Sequence, residues 1–241
     1  ERWIPREELT CIAYRRGGPG RSGRRSPRRR ERRSCMARPR RTDIIQTPQR
    51  RSTRSATGEV SEIAASFRKR DAAAPESYPT ENISALYDAR VVPGPLPANL
   101  GGRGWTLRES VDAICTIASQ SPSTALVASM PLGLAGACFA TNPDFAPPDW
   151  RDRWREQIEW AASEFRAHRL FAACNSEKGA GGSLAAINTV ATSSGSGFQL
   201  NGEKILASGG RNASWFFSTA KVDPADLPGA GVVELFLMPS E

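Results

Sequence analysis

Apolar residues recur at three- and four-residue offsets through the first part of the chain and at two-residue offsets after about Arg169. Val60, Ile63, Ala64 and Phe67 form one apolar stripe, which predicts a helix beginning near residue 58. Glu81 to Ala89 reads as a second, short helix, stopped by Val91-Val92-Pro93-Gly94-Pro95, where proline prevents continuation. Thr106-Leu107-Arg108-Glu109 is a capping box, with Leu107, Val111, Ile114 and Ala118 as the stripe expected to be buried behind it. Residues 123–140 are apolar almost all round and predict the central, most buried helix, kinked at Pro131. Asp149 to Phe165 is amphipathic, with Trp150, Trp154, Ile158 and Ala161 on one side as packing residues.

Beyond Arg169 the period of two predicts strands. Gly197-Phe198-Gln199-Leu200 and Lys204-Ile205-Leu206-Ala207 flank Asn201-Gly202, a pair suited to a tight hairpin turn. Trp215 to Ala220 and Val232 to Met238 are further strand candidates. The pattern therefore predicts an α+β chain, an all-α helical domain over 56–169 followed by an antiparallel β domain over 170–241.

Charge divides the chain differently. Its 241 residues carry a net +8, yet residues 1–55 hold eighteen Arg against five acids, a net +13, and the remainder carries −5. The basic balance belongs to a tail, and the rest lacks the basic face that a folded nucleic-acid-binding domain needs. Residues 1–55 read as a disordered Arg-rich tail, too poor in apolar surface to offset the entropy of ordering. Three origins stay open: a nucleic-acid or anionic-surface tail, a targeting peptide, or sequence foreign to the working protein. The third is preferred, with translation starting near Met36; Pro19, Pro27 and Pro39 argue against an amphipathic targeting helix.

Five cysteines at 11, 35, 115, 138 and 174 and a single histidine, His168, show no metal-ligand spacing and no disulfide framework, so no metal is expected. Cys115 and Cys138 read as small core hydrophobes, and a reducing cytoplasmic compartment is the expectation. No uninterrupted run of eighteen apolar residues occurs, so no membrane partner is expected. His168, at a helix end, is given no catalytic role.

Two stretches carry chemistry. Phe171-Ala172-Ala173-Cys174-Asn175-Ser176-Glu177-Lys178-Gly179-Ala180-Gly181-Gly182-Ser183 is a glycine-rich loop headed by Ser-Glu, and Asn201 to Gly210 ends in Ser208-Gly209-Gly210. Glycines without Cβ let a ligand approach the backbone. The rival reading is an ordinary loop, with Ser176 and Ser208 bonding their own backbone and Glu177 a structural carboxylate, which is the preferred reading of Glu177.

In this order behind a helical segment, the two stretches resemble the flavin-binding half of the acyl-CoA dehydrogenase family. Ser176 to Ser183 resembles its Thr-Glu-Pro-Gly-Ala-Gly-Ser-Asp loop, Leu200 to Lys204 its Leu-Asn-Gly-x-Lys turn, and Leu206 to Gly210 its Trp-Ile-Thr-Asn-Gly strand end. Upstream, Pro97 to Gly104 resembles its Pro-x-x-Leu-Gly-Gly-x-Gly loop; the likeness spans roughly 58–238. The resemblance implies a helical domain followed by a β-barrel-like middle domain. It implies FAD, with FMN as the alternative, held by Cys174, Asn175, Ser176, Gly181, Gly182, Leu206, Ala207 and Ser208. Ser176 then meets the flavin edge, Ser208 lies near N5, and Cys174 and Asn175 contribute mainly backbone.

The implied reaction is oxidation of a CH–CH unit beside an acyl-CoA thioester, with hydride passing to flavin N5 and electrons to an acceptor. Leu206 and Ala173 stand where the family has aromatics, and Gly182-Ser183 where it has Ser-Asp. These departures lean toward a two-component flavin-dependent monooxygenase of the same fold, fed by a flavin reductase. The family's C-terminal helical bundle is expected to be missing, so that the chain is a fragment of an assembly that is homotetrameric when full length, and no catalytic base is assigned. A non-catalytic remnant with a nucleic-acid-binding tail is the reading from a different class.

Overall fold

A computed structural model of the chain describes residues 11–12, 56–146, 148–180, 183–194, 197–223, 225–226 and 233–240. Apart from Cys11–Ile12, the Arg-rich stretch lies outside the described residues, and so does the reading made of it.

The first apolar stripe folds as two short helices, α1 (Ala56–Ala64) and α2 (Phe67–Ala73), whose Val60, Ala64 and Phe67 are fully buried. Helix α3 (Thr80–Asp88) buries Ile83, Leu86 and Tyr87. The proline loop after it is itself interior: Val91 to Leu96 are buried. Arg103 holds this loop in place. Its guanidinium grips the Glu59 carboxylate at 2.6 and 2.7 Å and lies over the Trp105 ring.

Helix α4 (Leu107–Ala118) starts at the predicted capping box. The Thr106 hydroxyl accepts from the Glu109 N–H, while the Glu109 carboxylate accepts from the Thr106 N–H at 2.8 Å. Its buried face differs from the predicted stripe. Ser110, Ala113 and Ile117 point inward with Ile114 and Ala118 beside them, whereas Leu107 is 82% exposed and Val111 about half exposed. A turn of about 100° per residue means a one-position error rotates the whole face. Small inward residues suit the side packed against α1 and α5.

Helix α5 (Pro122–Leu134) runs through Pro131 and widens into a π turn over Ala135–Phe139. Pro131 takes a backbone donor out of the ladder shortly before that change of winding. The expected all-round burial holds for one side only, since Leu126 is 56% exposed and Gly133, Gly136 and Ala137 face outward. By length and composition Pro122–Phe139 could cross a membrane, but half of it is packed inside the fold, against α4 and the sheet. Helix α6 (Arg151–Arg166) buries Ile158, Ala161, Ala162 and Phe165, with Trp154 packed on Phe139. Cys115, expected in the core, is exposed; Cys138 is half-buried, and burial pushes its thiol up to about 11.

The strands are β1 (Cys11–Ile12), β2 (Phe171–Ser176), β3 (Val190–Ser194), β4 (Gly197–Asn201), β5 (Leu206–Ser208), β6 (Trp215–Val222) and β7 (Val233–Pro239). Hydrogen bonding runs β1-β7-β6-β2-β5, with β3 joined to both β6 and β4. The predicted antiparallel sheet is corrected: β2 and β3 both run parallel to β6, so the sheet is mixed. The predicted Asn201-Gly202 hairpin is also corrected, because β4 pairs with β3 and β5 pairs with β2. Gly202 serves close approach instead. A Cβ there would meet the Thr189 hydroxyl at 2.3 Å and its Cα at 2.7 Å.

Helices and sheet share one core. Phe171 packs on Phe165 with ring centroids 4.8 Å apart, Trp160 meets Trp215 edge-on at 5.0 Å, and the Trp215 indole donates to Glu164 at 2.7 Å. A second cluster, Ala191, Phe198, Ala220, Val222 and Phe236, lies within the sheet.

Candidate functional site

The two chemistry-bearing stretches lie side by side. Strands β2 and β5 pair with Ala173 opposite Ser208 and Ser176 opposite Leu206, and the Ile205 N–H donates to the Ser176 carbonyl at 2.9 Å. Three steps along β2 face two along β5, which is a bulge. Opposed residues of an antiparallel pair share a face, and the extra residue shifts the alternation of β2 by one. Ala173, Ser176, Leu206 and Ser208 therefore stand on one face, where strict alternation would have set Ala173 and Ser176 back to back. Ser176 and Ser208 are half-buried, Leu206 is 65% exposed and Ile205 about half exposed. The result is a partly apolar surface carrying two hydroxyls.

Not every sequence candidate shares that face. The Cys174 carbonyl accepts from the Ser218 hydroxyl at 2.7 Å, and burial raises its thiol, offset in part by the positive charge of Lys204. The Asn175 side chain is committed to the fold, its Oδ1 accepting from the Thr219 N–H at 3.0 Å. Ala207 is exposed beside Leu206. Gly181 and Gly182 lie outside the described residues, although Gly179, at φ +83°, adopts the left-handed backbone that glycine favours.

Behind this face sits a group that the motifs mark but do not explain. Glu177 is 5% exposed, and Lys204 donates to it at 2.6 Å and to the Thr219 carbonyl at 2.7 Å. The same carboxylate accepts from the Asn188 N–H and from both the N–H and the hydroxyl of Thr189. Burial works against its charged form, but the bonds from Lys204, Thr189 and Asn188 outweigh it and hold the carboxyl at about 2. Glu177 is thus the structural carboxylate of the rival reading. Lys204 is the residue the sequence analysis passed over, and the spacing that marks it is the Leu-Asn-Gly-x-Lys turn itself.

The end of β5 is seated on the helices. Gly209 has φ +86°, and a Cβ there would touch Val127 of α5 and Leu170 at 3.3 and 3.4 Å, with the Tyr78 hydroxyl at 3.6 Å. That hydroxyl is buried without a hydrogen-bond partner, and burial pushes it up to about 12. A cavity of about 180 Å³ lined in part by Tyr78, Tyr87, His168, Leu170 and Asn212 lies on this helical side. His168 itself takes a left-handed backbone just after α6 and packs against Tyr87. Among the described residues no group of three or more His, Cys, Asp or Glu is placed to hold a metal ion.

Donor chemistry and shape fit a flavin ring in part. A planar ring with one polar edge needs an apolar floor, which Leu206 offers, and hydroxyls at the rim, which Ser176 and Ser208 offer. Gly179 lets the backbone after Ser176 turn away from that floor.

No family model matches the chain. It is 28% identical over 165 residues to a 3-sulfinopropanoyl-CoA desulfinase of Advenella mimigardefordensis, covering 68% of this chain and 38% of that protein. It is 26% identical over 155 residues to a probable mitochondrial medium-chain specific acyl-CoA dehydrogenase of Caenorhabditis briggsae, covering 64% and 35%. Among solved structures it superposes on FMN-bound TdsC from Paenibacillus sp. A11-2 with a TM-score of 0.55 at 21% identity, over 78% of this chain and 43% of that one. The chain spans between a third and two fifths of the length of these curated relatives.

Proposed function

We propose, for a chain that is acyl-CoA dehydrogenase-like in sequence and fold, that the shared face of β2 and β5 holds the isoalloxazine ring of a flavin, FAD or alternatively FMN. The observation that carries this reading is the bulged pairing, which turns Ser176 and Ser208 to the same side with Leu206 beside them. Bound there, the flavin supplies two-electron redox chemistry that amino-acid side chains lack. This chain's own part is to bind and orient. The Ser176 hydroxyl hydrogen-bonds the polar edge of the ring, the Ser208 hydroxyl serves its N5 side, and Leu206 gives the floor. Cys174 and Ala207 offer backbone, Gly181 and Gly182 close approach, and Asn175 acts from behind through its bond to Thr219.

The flavin would supply hydride acceptance for oxidation of an acyl-CoA or related thioester by the whole protein, the α-proton going to a base outside the residues assigned to this face and the electrons to an acceptor. A monooxygenase working with a flavin reductase is the second reading, favoured by the exposed Leu206 where a covering tryptophan would stand and by the likeness to the FMN-bound structure.

The full chain, titrated with FMN and FAD, is expected to quench flavin fluorescence and retain flavin on gel filtration. Leu206→Asp sets a charge under the ring and should weaken binding by about tenfold or more, roughly 1.4 kcal/mol. Flavin that elutes entirely free of the wild-type chain defeats the proposal. Bleaching of the bound flavin by acyl-CoA without oxygen favours the dehydrogenase; capture of reduced flavin alone favours the monooxygenase.

A further inference from the structure

One edge of β6 changes partner midway. Strand β2 pairs with it as far as Phe217, and β3 takes over only at Lys221. Between those two runs of pairing, the Thr219 N–H and C=O are met by side chains. Side chains close the seam. Asn175 accepts from the Thr219 N–H, and Lys204 donates to the Thr219 carbonyl while gripping Glu177. Glu177 in turn holds Asn188 and Thr189, whose carbonyl receives the Lys221 N–H where β3 begins.

Asn175 and Glu177 flank Ser176 in sequence, and both send their side chains into the fold. Ser176, between them, alternates to the other side of β2. Glu177 also ties the start of the glycine-rich segment to Asn188, eleven residues later and just before β3, so a single carboxylate sets where the chain leaves and rejoins the sheet. An ion pair this buried is weak evidence for stability in its own right, because desolvation offsets much of the attraction. Fixing a register is the better-attested use of such a pair.

We infer that Asn175, Glu177 and Lys204 are positioning residues, a clasp across the β2/β3 seam that holds Ser176 in line with Leu206 and Ser208 and closes the base of the glycine-rich segment. The inference rests on the reading of that face as the flavin surface, and deepens it.

Amide hydrogen exchange and FMN affinity are measured on the full chain for the wild type, Glu177→Gln, Lys204→Met, Lys204→Arg and Asn175→Ala. A glutamine cannot accept from all the donors that meet Glu177. Its amides at Asn188, Thr189, Ile205 and Thr219 should exchange about tenfold faster or more, while those of α5 hold their protection, and FMN should bind about tenfold more weakly. Lys204→Met should do the same and Lys204→Arg should restore both readouts. If Glu177→Gln does not fold, Asn175→Ala, which removes only the Thr219 bond, carries the same test with a smaller effect. Unchanged exchange at those amides overturns the clasp; faster exchange with unchanged FMN affinity overturns its positioning role. A wild type that captures no FMN sinks the flavin reading alone, and the exchange comparison still decides whether the clasp sets the Ser176–Leu206 pairing.

Discussion

Glu177 gathers four hydrogen bonds from three residues, and it does so because a buried carboxylate without them would be costly to ionise. Held at about 2 instead of 4.5, it links folding to pH with a definite sign. As pH falls below about 4.5, the unfolded chain takes up a proton on Glu177 while the folded chain still refuses it, so this contribution is complete above the unfolded value and drains away toward about 2. Wild-type stability should therefore decline between pH 4.5 and 2 more steeply than that of Glu177→Gln. Urea midpoints taken across that window on both proteins measure the difference, and parallel slopes would show that the carboxyl titrates alike in both states. Gly202 belongs to the same knot, since its missing Cβ lets the chain pass over Thr189, the carboxylate's partner.

At the scale of elements, what was legible in the sequence was local. The Thr106–Glu109 capping box needs only four neighbouring residues, and it forms as read. Thr106→Ala should cost about 1 kcal/mol of unfolding free energy, read as a lower urea midpoint with the slope unchanged. The buried face of α4 was misread because periodicity gives a stripe but not its partner; Leu107 and Val111 fit the period and still face outward. The segments of β4 to β7 were legible for the same local reason, but β2 was read as part of a loop, β3 was not read as a strand, and the pairing was not legible. Asn201-Gly202 has the residues of a tight turn, yet β5 pairs with β2, some thirty residues earlier, and Gly202 is used for close approach. Of the candidate site, motif order singled out the two stretches that pair. The bulge that brings Ser176 and Ser208 to one face, the seam on β6 and the use of Lys204 depend on contacts across dozens of residues, which no local pattern encodes.

At the scale of the molecule, the change from helical to strand periodicity near Arg169 suggests two domains, but the packing joins them. Phe171, the first residue of β2, is fully buried among α6 side chains, on Phe165 and at the edge of Trp160. Trp160 also meets Trp215 of β6, and Gly209 seats the end of β5 on α5. A proposed ligand face on β2 and β5 thus continues the side of the sheet that packs on the helices, and its geometry is only as firm as that shared core. Phe171→Ala removes the ring that both layers touch and should cost about 3–5 kcal/mol. Because the cavity lies between the layers, the loss falls on both together. Far-UV circular dichroism, which follows the helices, and the emission of a variant that keeps only Trp160 and Trp215 as tryptophans, which follows their contact, should shift to lower urea in one coincident transition. Helix signal that survived to the wild-type midpoint while the emission changed early would mean that the helices stand without the sheet, and the support argued for Ser176 and Ser208 would have to come from the sheet alone.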